Sequence, residues 1–139
     1  MTNNTVSIGV FIDGGYYAKI DEMLHQTSGM RLDITKLVHF IRSTIAEQCG
    51  VEKTFSQVTE NHYFRGRFRA TEASAKKILL AERKFEDSLI ENDVIIHYKH
   101  LREIDGSIIE KGIDVWYALE AYELATIRNF DYVVLITGD

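Results

Sequence analysis

The stretch YVVLITGD, residues 132–139, is an almost wholly apolar, β-prone run that stops at a glycine and an aspartate. A strand with apolar residues on both faces needs cover on both, which is the pattern of a parallel strand between two helical layers. The segment before it, from Asp114 to about Asn129, reads as a helix, entered through Lys111-Gly112. The first strand of the chain repeats the design. SIGVFI, residues 7–12, is short and apolar and ends at Asp13-Gly14-Gly15, a buried strand followed by a permissive turn.

Between these two strands, strand and helix patterns alternate. A helix is expected from near Tyr16 toward Leu24. A second one, capped by Asp33 or Thr35, carries Leu37, Val38, Ile41, Ile45 and Ala46 at helical spacing and ends near Cys49-Gly50. Gln57 to Phe64 reads as a strand and Thr71 to Ile90 as one long helix with Ala73, Ile78, Leu79, Leu80, Phe85, Leu89 and Ile90 on its apolar side. Val94 to Tyr98 reads as a further strand, and Asp105-Gly106 between LREI and SIIE as a hairpin. Alternation of this kind makes an α/β domain with a mainly parallel sheet and right-handed crossovers.

With 139 residues, no proline and no Gly/Ser linker, the chain is read as one domain over residues 1–139. The composition is that of a folded water-soluble protein: 45% hydrophobic and 27% charged. No apolar run spans a bilayer and the start MTNNT is no signal peptide, so the expected location is cytoplasmic, without a membrane partner. The single cysteine, Cys49, excludes an internal disulfide and is read as a plain helix residue. The net charge of −5 gives no overall pull on nucleic acid, but the charge is unevenly placed. Residues 63–84 hold seven basic and two acidic residues, a net +5, whereas residues 103–139 hold two basic and eight acidic, a net −6. The pattern suits an acidic site beside a basic surface; two solvated faces is the simpler reading of the same counts.

Ligands of open α/β sheets bind beyond the carboxyl ends of the strands. Asp13 and Asp139 both stand there, each next to a glycine, and Asp114 opens the helix that leads into the last strand. Taken singly, Asp114 reads as a helix cap and Asp13 as a turn residue bonded to its own backbone. Taken together they read as a cation site, because two carboxylates about 4 Å apart repel by about 4 kcal/mol unless a proton or cation compensates. Oxygen donors without His or Cys favour Mg²⁺ or Mn²⁺ over zinc.

VFIDGG around Asp13, EKGIDVWYALEAYELA around Asp114 and FDYVVLITGD at the end resemble the NYN domains of the PIN-like nuclease superfamily, including the LabA-like (DUF88) proteins. The resemblance runs from the first strand to the last residue, and the KGID-to-TGD block is its specific part. It implies a PIN-like, Rossmann-like three-layer sandwich. It also implies Mg²⁺ or Mn²⁺ held by Asp13, Asp114 and Asp139 as metal ligands and catalytic residues, and metal-dependent cleavage of RNA or, less often, of other nucleic acid. Two positions depart from the family pattern: Tyr16 stands where many members have Asn, and Glu120 where Asp is common. Glu120 lies about 120° round the helix from Asp114, outside the metal shell.

Around this centre, Arg65, Arg67 and Arg69, alternating with Tyr63, Phe64 and Phe68, form a mixture able to pair with phosphates and stack on bases. Tyr63 and Phe64 close a strand, so core packing competes for at least one of them. Lys111 is either a phosphate contact or a solvated lysine. Two rivals stand beside the ribonuclease: a PIN-like module that binds RNA or protein without cutting, and a haloacid dehalogenase-like phosphatase, which lacks its second aspartate because Gly15 stands there. Self-association into a homo-oligomer stays open. Since family members continue past the last motif with a second acidic residue, more helix and a strand, the chain is expected to be a truncated piece of a longer protein, with an incomplete site.

Overall fold

The computed structural model describes residues 5–67, 70–104, 107–109 and 112–138. Four strands form one all-parallel sheet in the order β3-β2-β1-β6: β1 Val6–Asp13, β2 Ser56–Arg67, β3 Val94–His100 and β6 Tyr132–Ile136. Between them run α1 Gly14–Ser28, α2 Ile34–Cys49, a 3-10 turn Lys53–Phe55, α3 Ala70–Ala75, α4 Leu79–Glu91 and α5 Ile113–Ile127. The expected hairpin is present as β4 Arg102–Ile104 paired antiparallel with β5 Ser107–Ile109; its turn, Asp105-Gly106, lies outside the described residues.

Alternation along β1 sorts the two helical layers. Val6, Ile8, Val10 and Ile12 point to one side and pack with Tyr17 of α1, Ile34, Ile41 and Ile45 of α2, Leu89 of α4, and Tyr63 and Val94. Phe11 points to the other side and packs with Phe64 and with Tyr117 and Ala121 of α5. Helices on both faces of a parallel sheet make this an α/β three-layer sandwich. Tyr63 and Phe64 are both fully buried, each in one of the two cores. The bond network of α2 agrees with its sequence: Asp33 accepts from the Lys36 N–H at 3.1 Å, and Gly50 closes the helix in the left-handed region.

Three elements differ from the sequence reading. The helix expected over residues 71–90 is two helices, because Lys77 adopts φ 59° and interrupts the hydrogen-bond ladder. The break re-aims the apolar positions: Ala73 and Leu89 are buried while Leu80 and Ile90 face solvent. Next, α1 begins at Gly14 and runs on to Ser28. Finally, among the described residues β6 pairs with β1 alone, and its two faces are unequal. Tyr132, Val134 and Ile136 pack on the aliphatic core, but Val133 is 41% and Leu135 54% exposed beside α5.

Candidate functional site

The carboxyl end of β1 turns directly into α1. Asp13 is the last strand residue, and its Oδ1 accepts from the N–H groups of Gly15 and Tyr16 at 3.1 and 3.4 Å, capping α1. The turn leaves no room for a side chain at the next position. A Cβ on Gly14 would come within 2.6 Å of the Phe64 carbonyl oxygen, so the backbone of β1 and β2 meet closely just beyond Asp13. That approach and the cap together set the direction of the Asp13 carboxylate.

Asp114 is held differently. It lies in the first turn of α5, whose N-cap is Gly112 at φ 91°, with no side-chain cap bond. The capping role offered by the sequence therefore belongs to Asp13, and Asp114 is an exposed first-turn acid that suits the positive end of the helix dipole. The stripe Ile113, Tyr117, Ala121 faces the sheet and is buried, bringing Asp114 over the strand ends.

Both aspartates line one open cleft of about 440 Å³ between α5 and β6, with Thr137 at the same end and Tyr117, Ala118, Ala121, Tyr122, Ala125, Val133 and Leu135 along it. The donors gathered at the acidic end are oxygens of two carboxylates, joined by the residue after β6, a set of the kind that hard divalent cations take. Among the described residues no three His, Cys, Asp or Glu side chains converge on one point. Asp139, the third acidic residue of the sequence reading, lies outside them, as do Lys111 and Arg69. The loop that leads to Asp139 is packed: a Cβ on Gly138 would fall 2.8 Å from the ring of Tyr16. Tyr16, the departure from the family's Asn, thus seats its ring on the backbone after β6.

Arg65 and Arg67 stand at the carboxyl end of β2, opposite Tyr98 and His100 of β3. Arg67 is already engaged: it donates to Glu86 at 2.9 Å and lies over the Tyr98 ring at 4.5 Å. Glu86 is buried and also meets Arg83 at 3.4 Å. Burial raises the Glu82 carboxyl, while Arg65, Arg67 and Arg83 act in the opposite direction. The basic segment is therefore interleaved with two glutamates, and Arg65 is the better placed of the pair for an outside anion.

Two arrangements escaped the sequence reading. One is a polar string beneath α5: Arg128 donates to Glu60 at 3.0 Å, Glu60 Oε1 lies 3.1 Å from His62 Nε2, and His62 Nδ1 lies 2.9 Å from His97 Nε2. A carboxylate only accepts, so His62 donates from Nε2 to Glu60 and accepts at Nδ1 a hydrogen bond from His97 Nε2. Burial, and then His62, hold the His97 imidazole below its usual range, with Glu120 of α5 acting against them. Period-two spacing of His62 and Phe64 placed them on one face, but nothing in the chain linked them to residue 97.

The other is Tyr117, whose hydroxyl donates to the Phe11 carbonyl at 2.8 Å. Burial pushes that hydroxyl up to about 12, the Asp13 carboxylate adds to this, and the Ile136 backbone N–H opposes it. A tyrosine on the buried helical stripe was the available signal, because a buried hydroxyl requires a partner. The model of the NYN domain family matches residues 7–139 of this chain. No curated protein and no solved structure gives a match.

Proposed function

The chain belongs to the NYN domain family, whose PIN-like nuclease relatives typically bind RNA and generally depend on divalent metal, and from that premise we propose that it is a Mg²⁺- or Mn²⁺-dependent ribonuclease. The observation that carries the reading is the convergence of Asp13, from the end of β1, and Asp114, from the start of α5, on one cleft. Asp139, two residues beyond the cleft residue Thr137, is assigned to the same centre. The three carboxylates would hold the cation, and Asp13 keeps its orientation through the two N–H bonds on Oδ1. A bound cation would supply charge neutralisation at the phosphoryl group and an activated water. In the overall hydrolysis one water adds to phosphorus as the bond to the leaving oxygen breaks, and that oxygen gains the proton. Arg65, with Arg67, Arg69 and Lys111, supplies positive charge for the RNA backbone. We place the protein nearest the LabA-like (DUF88) members, on KGID and TGD, and in the cytoplasm; no helix among the described residues is long and apolar enough to cross a membrane.

Mn²⁺ titration and cleavage of a labelled RNA test this together. Asp13→Asn and Asp114→Asn are each expected to weaken Mn²⁺ binding and cut cleavage by about 100-fold or more, the scale of losing a main electrostatic group. Wild-type metal affinity in both variants would remove the pair from the site. RNA binding with no Mn²⁺-dependent cleavage would favour the non-cutting module.

A further inference from the structure

We infer that Tyr117 is a positioning residue for the acidic centre: its hydroxyl fixes the spacing between the carboxylates of Asp13 and Asp114. The inference rests on the reading of those two aspartates as a cation site. Asp114 is on α5 and Asp13 on β1, so their separation is set by how the first turns of α5 sit on the sheet. The helix start offers little control. Gly112 makes no side-chain cap bond, and Asp114 is exposed. Below it, Ile113 is buried and Trp116 meets Phe64 edge to face at 5.4 Å. Such apolar contacts resist lifting of the helix but allow it to slide or roll, because dispersion depends weakly on orientation.

The Tyr117 bond is directional. It runs 2.8 Å from the hydroxyl to the Phe11 carbonyl, three residues after Asp114 in one element and two residues before Asp13 in the other. The ring is buried and braced edge-on by Phe64 at 5.5 Å, so the hydroxyl has one rotameric home. One phenol thereby ties α5 to β1. Tyr117 also lines the cleft that holds both aspartates, where a shift of the helix would change the cleft itself. A site whose ligands come from separate elements needs such support to hold them within about 0.5 Å of working geometry.

The test is Tyr117→Phe, which keeps the ring and its packing on Phe64 and deletes the hydroxyl alone. Tyr132→Phe serves as the control, since it removes a hydroxyl that meets Cys49 at 3.2 Å, away from the cleft. Mn²⁺ affinity and the electron paramagnetic resonance line shape of bound Mn²⁺ are measured for both, with Asp13→Asn and Asp114→Asn alongside. Tyr117→Phe should bind Mn²⁺ about five-fold more weakly, the scale of one net hydrogen bond, and with a broadened, altered line shape. Tyr132→Phe should match the wild type in both. Wild-type affinity and line shape in Tyr117→Phe, while the aspartate variants lose the metal, would overturn the positioning role alone. Unchanged Mn²⁺ binding in the aspartate variants would instead overturn the site on which it rests. An equal loss of affinity in Tyr132→Phe would reduce the effect to general stability and also refute the inference.

Discussion

On the face toward α1, α2 and α4, the sheet presents Val6, Ile8, Val10, Ile12, Tyr63 and Val94, and three helices close over them. On the face toward α5 it presents Phe11, Asp13, His62, Phe64 and His97; beneath that single helix Phe11, His62 and Phe64 are buried, while Asp13 and His97 keep partial exposure and Leu135 of β6 stays half in solvent. The first face gains stability from continuous apolar burial, which tolerates no unpaired charge. The second has given up cover, and with it some of that gain, in exchange for a cleft where carboxylates reach solvent and where imidazoles and a phenol find polar partners. Chemistry and stability thus occupy opposite sides of the same four strands.

The largest break in the comparison comes from equal truncations on the two faces. Leu89→Ala, on the closed side, is expected to cost about 2–5 kcal/mol of unfolding free energy. Leu135→Ala, on the open edge, should stay within about 0.5 kcal/mol. Urea unfolding of both variants measures the difference, and equal losses would show that the open face is as well packed as the closed one. A step smaller is Gly9→Ala. Its Cβ would enter the Phe130 ring at 2.5 Å on the α5 side, an overpacking cost of about 1–3 kcal/mol.

A third expectation concerns pH. The folded state holds His97 below its ordinary value near 6.5, so the unfolded chain binds the proton more readily. Stability is therefore complete above pH about 6.5 and declines as pH falls through the depressed value. Replacing His97 with Phe should flatten this arm of the stability profile, followed by thermal unfolding between pH 5 and 8. An unchanged profile would detach the histidine string from the polar face. The smallest effect is reserved for the rim. Arg65→Ala should leave stability intact and lower the salt slope of RNA binding by about 0.7, the value for one single-strand phosphate contact. No change would return Arg65 to the role of a solvated strand-end charge.

The alternation of strand and helix, the apolar character of β1 and β6, the Asp33 cap and the β4–β5 hairpin were all legible in the chain, because each depends on neighbours within about ten residues. So was the placement of acidic residues at strand ends, since a parallel sheet puts every carboxyl end on one side. Tertiary structure alone decided the rest. It kept Asp13 bonded to its own following backbone, there also capping α1, and made Gly112 rather than Asp114 the N-cap of α5, because local propensity is the same for both aspartates and only the path of the backbone separates them. It broke the helix at Lys77 and left Leu135 half in solvent, outcomes set by what each element packs against. It also joined His62 to His97 and Tyr117 to Phe11, across 35 and 106 residues. Hydrogen bonds of that span leave no periodic trace in a sequence: they require one partner at one distance, and only the folded chain supplies it.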